Sequence, residues 1–226
     1  MIVGNGLIAS LFADVHQENV IFFASGVSNS SETNKNQFLR EENLVMETLS
    51  LSKENLFIYF STCSIYDSSK TNSPYVLHKL HMEELIKKYA KNYLILRVSN
   101  AVGKGGNPNL LINYLVRSIQ NNETINVHTK ATRNLIDAED IKNITLELVE
   151  YKKYNKIINI AYPFNYSIIE ILEIMEGKFK KRLDLNLTKA GSGYEINSPE
   201  SEIYFKNKNL TNKEAYLNRI LDKYYQ

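Results

Sequence analysis

Short apolar runs alternate along the chain with stretches whose apolar positions recur at three and four, and this pattern predicts an α/β protein. Met1–Val3 is a short strand, Gly4-Asn-Gly6 a turn, and the helix after it reaches about Val15. Asn19–Ser25 reads as the second strand, 29–35 (NSSETNK) as a polar loop, and Gln37–Leu51 as a helix striped by Phe38, Leu44, Val45 and Leu49. Leu56–Phe60 is the third strand. A helix follows from Pro74 to about Lys91, because proline suits the first helical position and disfavours the α region at Ser73. Tyr93–Val98 is a strand, Leu110–Gln120 a helix, Thr124–His128 a strand, 140–151 a helix opened or capped by Asp140, and Ile157–Ala161 a strand. A short helix at Ser167–Gly177 comes next. Beyond it, Asp184–Leu187 and a segment near Glu202–Phe205 read as strands around a GSG turn at 191–193, and 211–225 as a helix.

The densest chemistry lies between Tyr59 and Lys79 (YFSTCSIYDSSKTNSPYVLHK). The hydroxyl pair Ser61-Thr62 ends an apolar strand. Tyr75 and Lys79 stand four apart at the start of a helix, hence on one face. A free phenol titrates near ~10, and a neighbouring ammonium favours the phenolate, lowering that value by about 1–3 units. Such a tyrosine takes a proton from a sugar hydroxyl or returns one to a ketone, with Thr62 holding the same oxygen. With 15 tyrosines in the chain, Y-x-x-x-K also arises by chance, and Tyr66–Lys70 is a second copy. That copy sits among polar residues and reads as loop, whereas Tyr75–Lys79 opens an amphipathic helix. His78 and His81 have a metal-compatible spacing without a third ligand, so they read as solvated surface histidines and no metal site is expected.

A strand, a glycine turn and a helix at the N-terminus have the form of a phosphate cradle. The second strand of a dinucleotide fold, ending about 20 residues later in an acid for the adenosine ribose, is missing. Asp14 and Glu18 are the nearby acids, and neither ends a strand.

Taken in order, GNGLIAS (4–10), VIFFASGVS (20–28), FIYFSTCSIYD (57–67), YVLHK (75–79), LILRVSNAVGKGGNP (94–108) and RNLIDAEDI (133–141) resemble the extended short-chain dehydrogenase/reductases of the nucleotide-sugar epimerase/dehydratase type. The resemblance covers most of residues 1–165. It implies a Rossmann-like parallel sheet with helices on both faces, truncated by loss of the family's second and third strands. Residues 1–165 would form the dinucleotide-binding core and 166–226 a small C-terminal substrate-side cap. It implies Thr62, Tyr75 and Lys79 as the catalytic set. NAD or NADP would be held by Gly4, Gly6, Leu7, Ile8, Ala24, Ser25, Gly26, Tyr75, Lys79 and Val98. A nucleotide-diphosphate sugar would be held by Thr62, Asn100 and Arg133, whose guanidinium fork suits a diphosphate. The turn GKGGNP (103–108) can bring backbone N–H groups toward that diphosphate. Helices 37–51 and 74–91 would pair two copies into a homodimer.

Departures from the family narrow the reading. Its dehydratases follow the catalytic threonine with Asp-Glu. Here Cys63 and Ser64 stand there, which speaks against a 4,6-dehydratase. Cys63 should point away from Thr62 and reads as a small buried residue. Asp137 stands where the family has histidine. A formal net charge of +2 with interspersed signs gives no nucleic-acid or membrane footprint. No signal peptide is visible, and a single cysteine fits a reducing cytosol. The expectation is a cytoplasmic NAD(P)-dependent nucleotide-sugar epimerase or ketoreductase making surface polysaccharide precursors. The alternative is a catalytically silent nucleotide-sugar binding or regulatory protein that has lost full dinucleotide binding.

Overall fold

The computed structural model describes residues 1–51, 53–105 and 110–225. In chain order come β1 (Ile2–Val3), α1 (Leu7–Leu11), β2 (Val20–Phe23), α2 (Lys35–Leu51), β3 (Leu56–Thr62), α3 (Pro74–Tyr89), β4 (Asn92–Val98) and β5 (Asn100–Val102). There follow α4 (Leu111–Asn121), β6 (Ile125–His128), β7 (Thr132–Arg133), β8 (Leu135–Asp137), α5 (Ala138–Glu150) and β9 (Lys156–Ile160). β10 (Tyr166–Ser167), α6 (Ile168–Phe179), β11 (Leu185–Thr188), α7 (Pro199–Asn207) and α8 (Lys213–Tyr224) complete the chain. Gly106–Pro108 of the glycine turn at 103–108 lie outside the described residues.

The sheet is parallel, in the order β1-β2-β3-β4-β9. Its strands are apolar on both faces because helices cover both. Alternation sends Val20, Phe22, Leu56, Ile58, Phe60, Leu94 and Leu96 into a core shared with α4, α5, α6 and α8. It sends Ile21, Phe23, Phe57, Tyr59 and Ile95 to the opposite face, against Val45 and Leu49 of α2 and Met82 and Ile86 of α3. Each fully buried side chain of this kind contributes roughly 1.5–3 kcal/mol.

β1 pairs with β2 alone, and among the described residues no strand stands on its other side. In a dinucleotide fold the first strand lies between the second and the fourth. β2 therefore takes the fourth strand's place, and among the described residues no counterpart of the second and third is present, as the sequence implies. α1 is also shorter than expected, ending at Leu11. Phe12, its C-cap, stacks on Phe22 at 4.3 Å and turns the chain directly into β2.

Two local expectations are corrected. Glu202–Phe205 is not a strand but part of α7. Pro199 opens that helix, Glu200 and Glu202 sit in its first turn, and the buried positions Ser201, Tyr204 and Phe205 recur at three and four. Asp140 does not cap α5. Asp137 does, accepting the Glu139 N–H at 2.9 Å. Asp140 instead faces inward, accepting from Tyr204 Oη at 2.9 Å, Tyr216 Oη at 2.8 Å and Arg219 Nη2 at 2.5 Å. It thereby ties α7 and α8 to α5.

Candidate active site

β3 carries Thr62 to the C-terminal edge of the sheet, where its hydroxyl accepts the Ser64 N–H at 3.0 Å. Ser73 caps α3 by accepting the Val76 N–H at 3.2 Å, with Pro74 at the first turn, and this sets Tyr75 beside the strand end. Thr62 and Tyr75 are both buried. Burial pushes the phenol up to about 12 from 10.0, the Thr62 hydroxyl pulls it back as a hydrogen-bond partner, and Glu41 and Cys63 add to the rise.

The phenol is thus raised, where the sequence argument expected an ammonium to lower it. Burial is the leading cause, and Lys79 is itself engaged by other partners. Its Nζ donates to Glu41 Oε1 at 3.0 Å and to Tyr59 Oη at 3.0 Å, in a fully buried setting. Glu41 collects three further contacts: Tyr59 Oη at 2.5 Å, the Val27 N–H at 2.6 Å and His78 Nε2 at 3.0 Å. Burial raises the Glu41 carboxyl, but Lys79, His78, Tyr59 and Val27 together hold it well below the usual carboxylate value. His78, expected at the surface, is buried in this network; His81 is half exposed beside Glu42.

The other expected site residues lie around the same edge. Gly4 has φ +125° and packs so closely on the end of β2 that a Cβ would sit 2.4 Å from the Ala24 carbonyl oxygen. Gly6 caps α1, and Leu7 and Ile8 are half-buried in its first turn. Ala24, Ser25 and Gly26 continue β2 past its end, half-buried, and Val98 is buried at the end of β4. Asn100 donates through Nδ2 to the Asn134 carbonyl at 2.7 Å. Arg133 donates through Nη1 to the carbonyls of Thr132 at 2.7 Å and Ser192 at 3.3 Å. Cys63 is buried, its Sγ donating to the Arg97 carbonyl at 3.0 Å, and burial pushes the thiol up to about 12.

Three features were not legible in advance. Glu41 and Tyr59 come together only because sheet alternation points Tyr59 at α2. Arg40 donates from α2 to Ser25 Oγ at 3.2 Å and to the Ser25 carbonyl at 2.9 Å. Tyr194 is brought over the β3 edge by the loop after β11. Burial raises its phenol, Cys63 and Asp67 add to the rise, and Ser64 and Arg133 lower it. That loop is fastened by Asn165 Nδ2 donating to the Tyr194 carbonyl at 2.8 Å. A cleft of about 540 Å³ among Met46, Leu49, Lys53 and Lys88 opens at the other ends of α2 and α3, away from this chemistry.

Residues 3–161 match the model of the NAD dependent epimerase/dehydratase family. The chain belongs to that family. Human dTDP-D-glucose 4,6-dehydratase is 26% identical over 132 residues, an alignment that covers 51% of this chain and 38% of the dehydratase. The chain thus spans well under half the length of the curated relatives it matches. Among solved structures, UDP-glucuronic acid 4-epimerase from Bacillus cereus, in complex with UDP-glucuronic acid and NAD, has a TM-score of 0.70 at 20% identity, covering 96% of this chain and 79% of the epimerase. RMD from Pseudomonas aeruginosa complexed with NADPH has a TM-score of 0.69 at 17% identity, covering 97% and 85%. At such identities the likeness is one of fold.

The family is NAD dependent, and the residues here fit one half of such a cofactor. The glycine turn and the tail of β2 meet at the C-terminal ends of β1 and β2, where Gly4 packs against Ala24 and Ser25. For the adenosine half, no second strand and no strand-end acid stands beside β1 among the described residues.

Proposed function

We propose that the chain binds a nucleotide-diphosphate sugar over the C-terminal ends of β3 and β4 and acts on it as an epimerase or ketoreductase, in a pathway to surface polysaccharide precursors. The observation that carries this reading is the buried Thr62–Tyr75 pair, a phenol with a hydroxyl partner at a strand end. Thr62 orients the reacting sugar oxygen and Tyr75 exchanges a proton with it. Lys79 anchors the start of α3 from below, and Asn100 and Arg133 face the nucleotide and its diphosphate. Residues 166–226 close over the substrate side, with Tyr194 at the sugar.

NAD or NADP, when bound, supplies hydride exchange at the sugar carbon. Gly4, Gly6, Leu7 and Ile8 would hold its pyrophosphate side, and Ala24, Ser25, Gly26 and Val98 its nicotinamide side. Cys63 and Ser64 lack the acids a dehydratase of this family carries after its threonine, so elimination of water is not assigned. The chain is read as cytoplasmic and as a homodimer through α2 and α3.

One observation favours a second reading, a nucleotide-sugar binding or regulatory protein without turnover: β1 is an edge strand with no wall for adenosine. Thermal shifts separate the two. Ligand at 100 times its dissociation constant adds about 2.7 kcal/mol of stability. On the first reading UDP-sugars and either NAD(H) or NADP(H) raise Tm, and Tyr75→Phe abolishes turnover with the fold intact. A shift with UDP-sugars and none with any dinucleotide selects the second.

A further inference from the structure

Lys79 and Glu41 form the most enclosed ion pair of the described residues, with side chains 3% and 0% exposed. Three elements converge on that one carboxylate of α2. The tail of β2 contributes the Val27 N–H, β3 contributes the Tyr59 hydroxyl, and α3 contributes both His78 and Lys79. Gly26 lies directly over the pair: a Cβ there would stand 2.5 Å from Lys79 Nζ and 2.8 Å from Glu41 Oε1. The ammonium is therefore enclosed and satisfied by the chain itself.

Stability does not explain such a pair. Well-packed apolar residues of similar volume serve as well as or better than a buried ion pair, and Val45, Leu49 and Met82 already pack the α2–α3 side of the sheet. What a fixed carboxylate does change is the field at its neighbours. Tyr75 is one helical turn from Lys79, and an uncompensated ammonium there would draw the phenol toward phenolate. Glu41 acts on the same phenol with the opposite sign. We propose that Glu41 is a positioning residue for Tyr75: it is the built-in counter-ion of Lys79, and it holds the charge of that ammonium away from the neighbouring phenol. The groups that set the balance are Glu41 from α2, Tyr59 from β3, Thr62 and Cys63 at the exit of β3, and His78, Lys79 and Glu83 from α3.

In consequence Tyr75 stands in the resting protein as a neutral hydrogen-bond donor, with its proton available to an oxygen placed against Thr62. The chemical meaning of this rests on Tyr75 being the acid/base group of the proposed function; the electrostatic claim does not. Cζ-labelled tyrosine NMR, with Tyr75 assigned by its loss in Tyr75→Phe, tests the claim on the free protein. Glu41→Gln keeps the shape and one acceptor oxygen but removes the charge, and the Tyr75 titration is expected to fall by about 1–3 units. An unchanged Tyr75 titration in folded Glu41→Gln overturns the proposal.

The charge-neutral double variant Glu41→Leu, Lys79→Met keeps the proposal testable if the single variant fails to fold. Counter-ion and ion leave together, so Tyr75 should titrate within about half a unit of wild type. A rise of a full unit or more would mean that Lys79 acts on the phenol uncompensated, and would overturn it equally. No ligand enters these titrations, so their failure is distinct from that of the nucleotide-sugar reading, which the thermal shifts test.

Discussion

Tyr75, Tyr59 and Tyr216 share one property: each phenol is buried, and burial is the leading cause of a raised titration. The sign of the effect on stability follows from linkage. A group with a raised folded value holds its proton more tightly in the folded state, and ionisation in the unfolded chain draws the equilibrium toward unfolding, so its contribution is full below about 10 and is lost as pH climbs toward the folded value. For Tyr75, raised to about 12, the loss across that window is about 2–3 kcal/mol. Urea midpoints at pH 8, 10 and 11 should fall steeply above 10, and Tyr75→Phe should flatten part of that fall. A midpoint flat to pH 11 would mean the phenols titrate normally. The motif that located Tyr75 was legible because it is local: a strand end, a proline and a four-residue spacing. Glu41 was not, because its importance lies in contacts to residues 18, 37 and 38 positions away. No local pattern marks a carboxylate on an amphipathic helix as the buried one.

At the level of elements, the β1–turn–α1 unit is pinned by Gly4. Its φ of +125° is one that L side chains rarely adopt, and an added Cβ would lie 2.4 Å from the Ala24 carbonyl oxygen and 2.9 Å from Ser25 N. Gly4→Ala should therefore cost roughly 1–3 kcal/mol through strain and force β1 away from β2. Urea denaturation measures the loss, and hydrogen exchange at the Phe22 and Ala24 N–H groups, which donate to Met1 and Val3, shows where it falls. Gly6→Ala is the control. A Cβ there meets nothing within 4 Å, so its effect should stay under about 1 kcal/mol. Most elements of the sheet and its helices were legible because strand alternation and helical spacing are strong signals in buried segments. α7 was misread because apolar residues at 203, 204 and 205 stand next to one another. The proline that opens the helix and the first-turn acids, which decide the matter, begin earlier in the segment. Asp140 was misread as a cap because its partners Tyr204, Tyr216 and Arg219 come more than sixty residues later.

On the scale of the whole molecule, α2 and α3 pack side by side on one face of the sheet, and their outer sides carry large apolar residues into solvent. Leu39 is 54% exposed and Leu77 52% exposed, one on each helix. Phe38 and Leu80, on the same two helices, are partly buried against Val27, Tyr75 and Val76. Large apolar side chains left exposed on two neighbouring helices are candidates for an interaction surface. A second copy related by a two-fold axis would lay the same pair of helices against it and bury both leucines at once. Light scattering on the purified chain should give the mass of a dimer. Leu39→Glu with Leu77→Lys should convert it to a monomer, with unchanged circular dichroism, because neither side chain belongs to a core cluster. The site residues Thr62, Tyr75, Glu41 and Lys79 are inward of this surface, so the monomeric variant should keep its UDP-sugar thermal shift. A wild-type chain that stays monomeric up to high micromolar concentration would remove α2 and α3 as a subunit interface and leave their outer faces to some other contact.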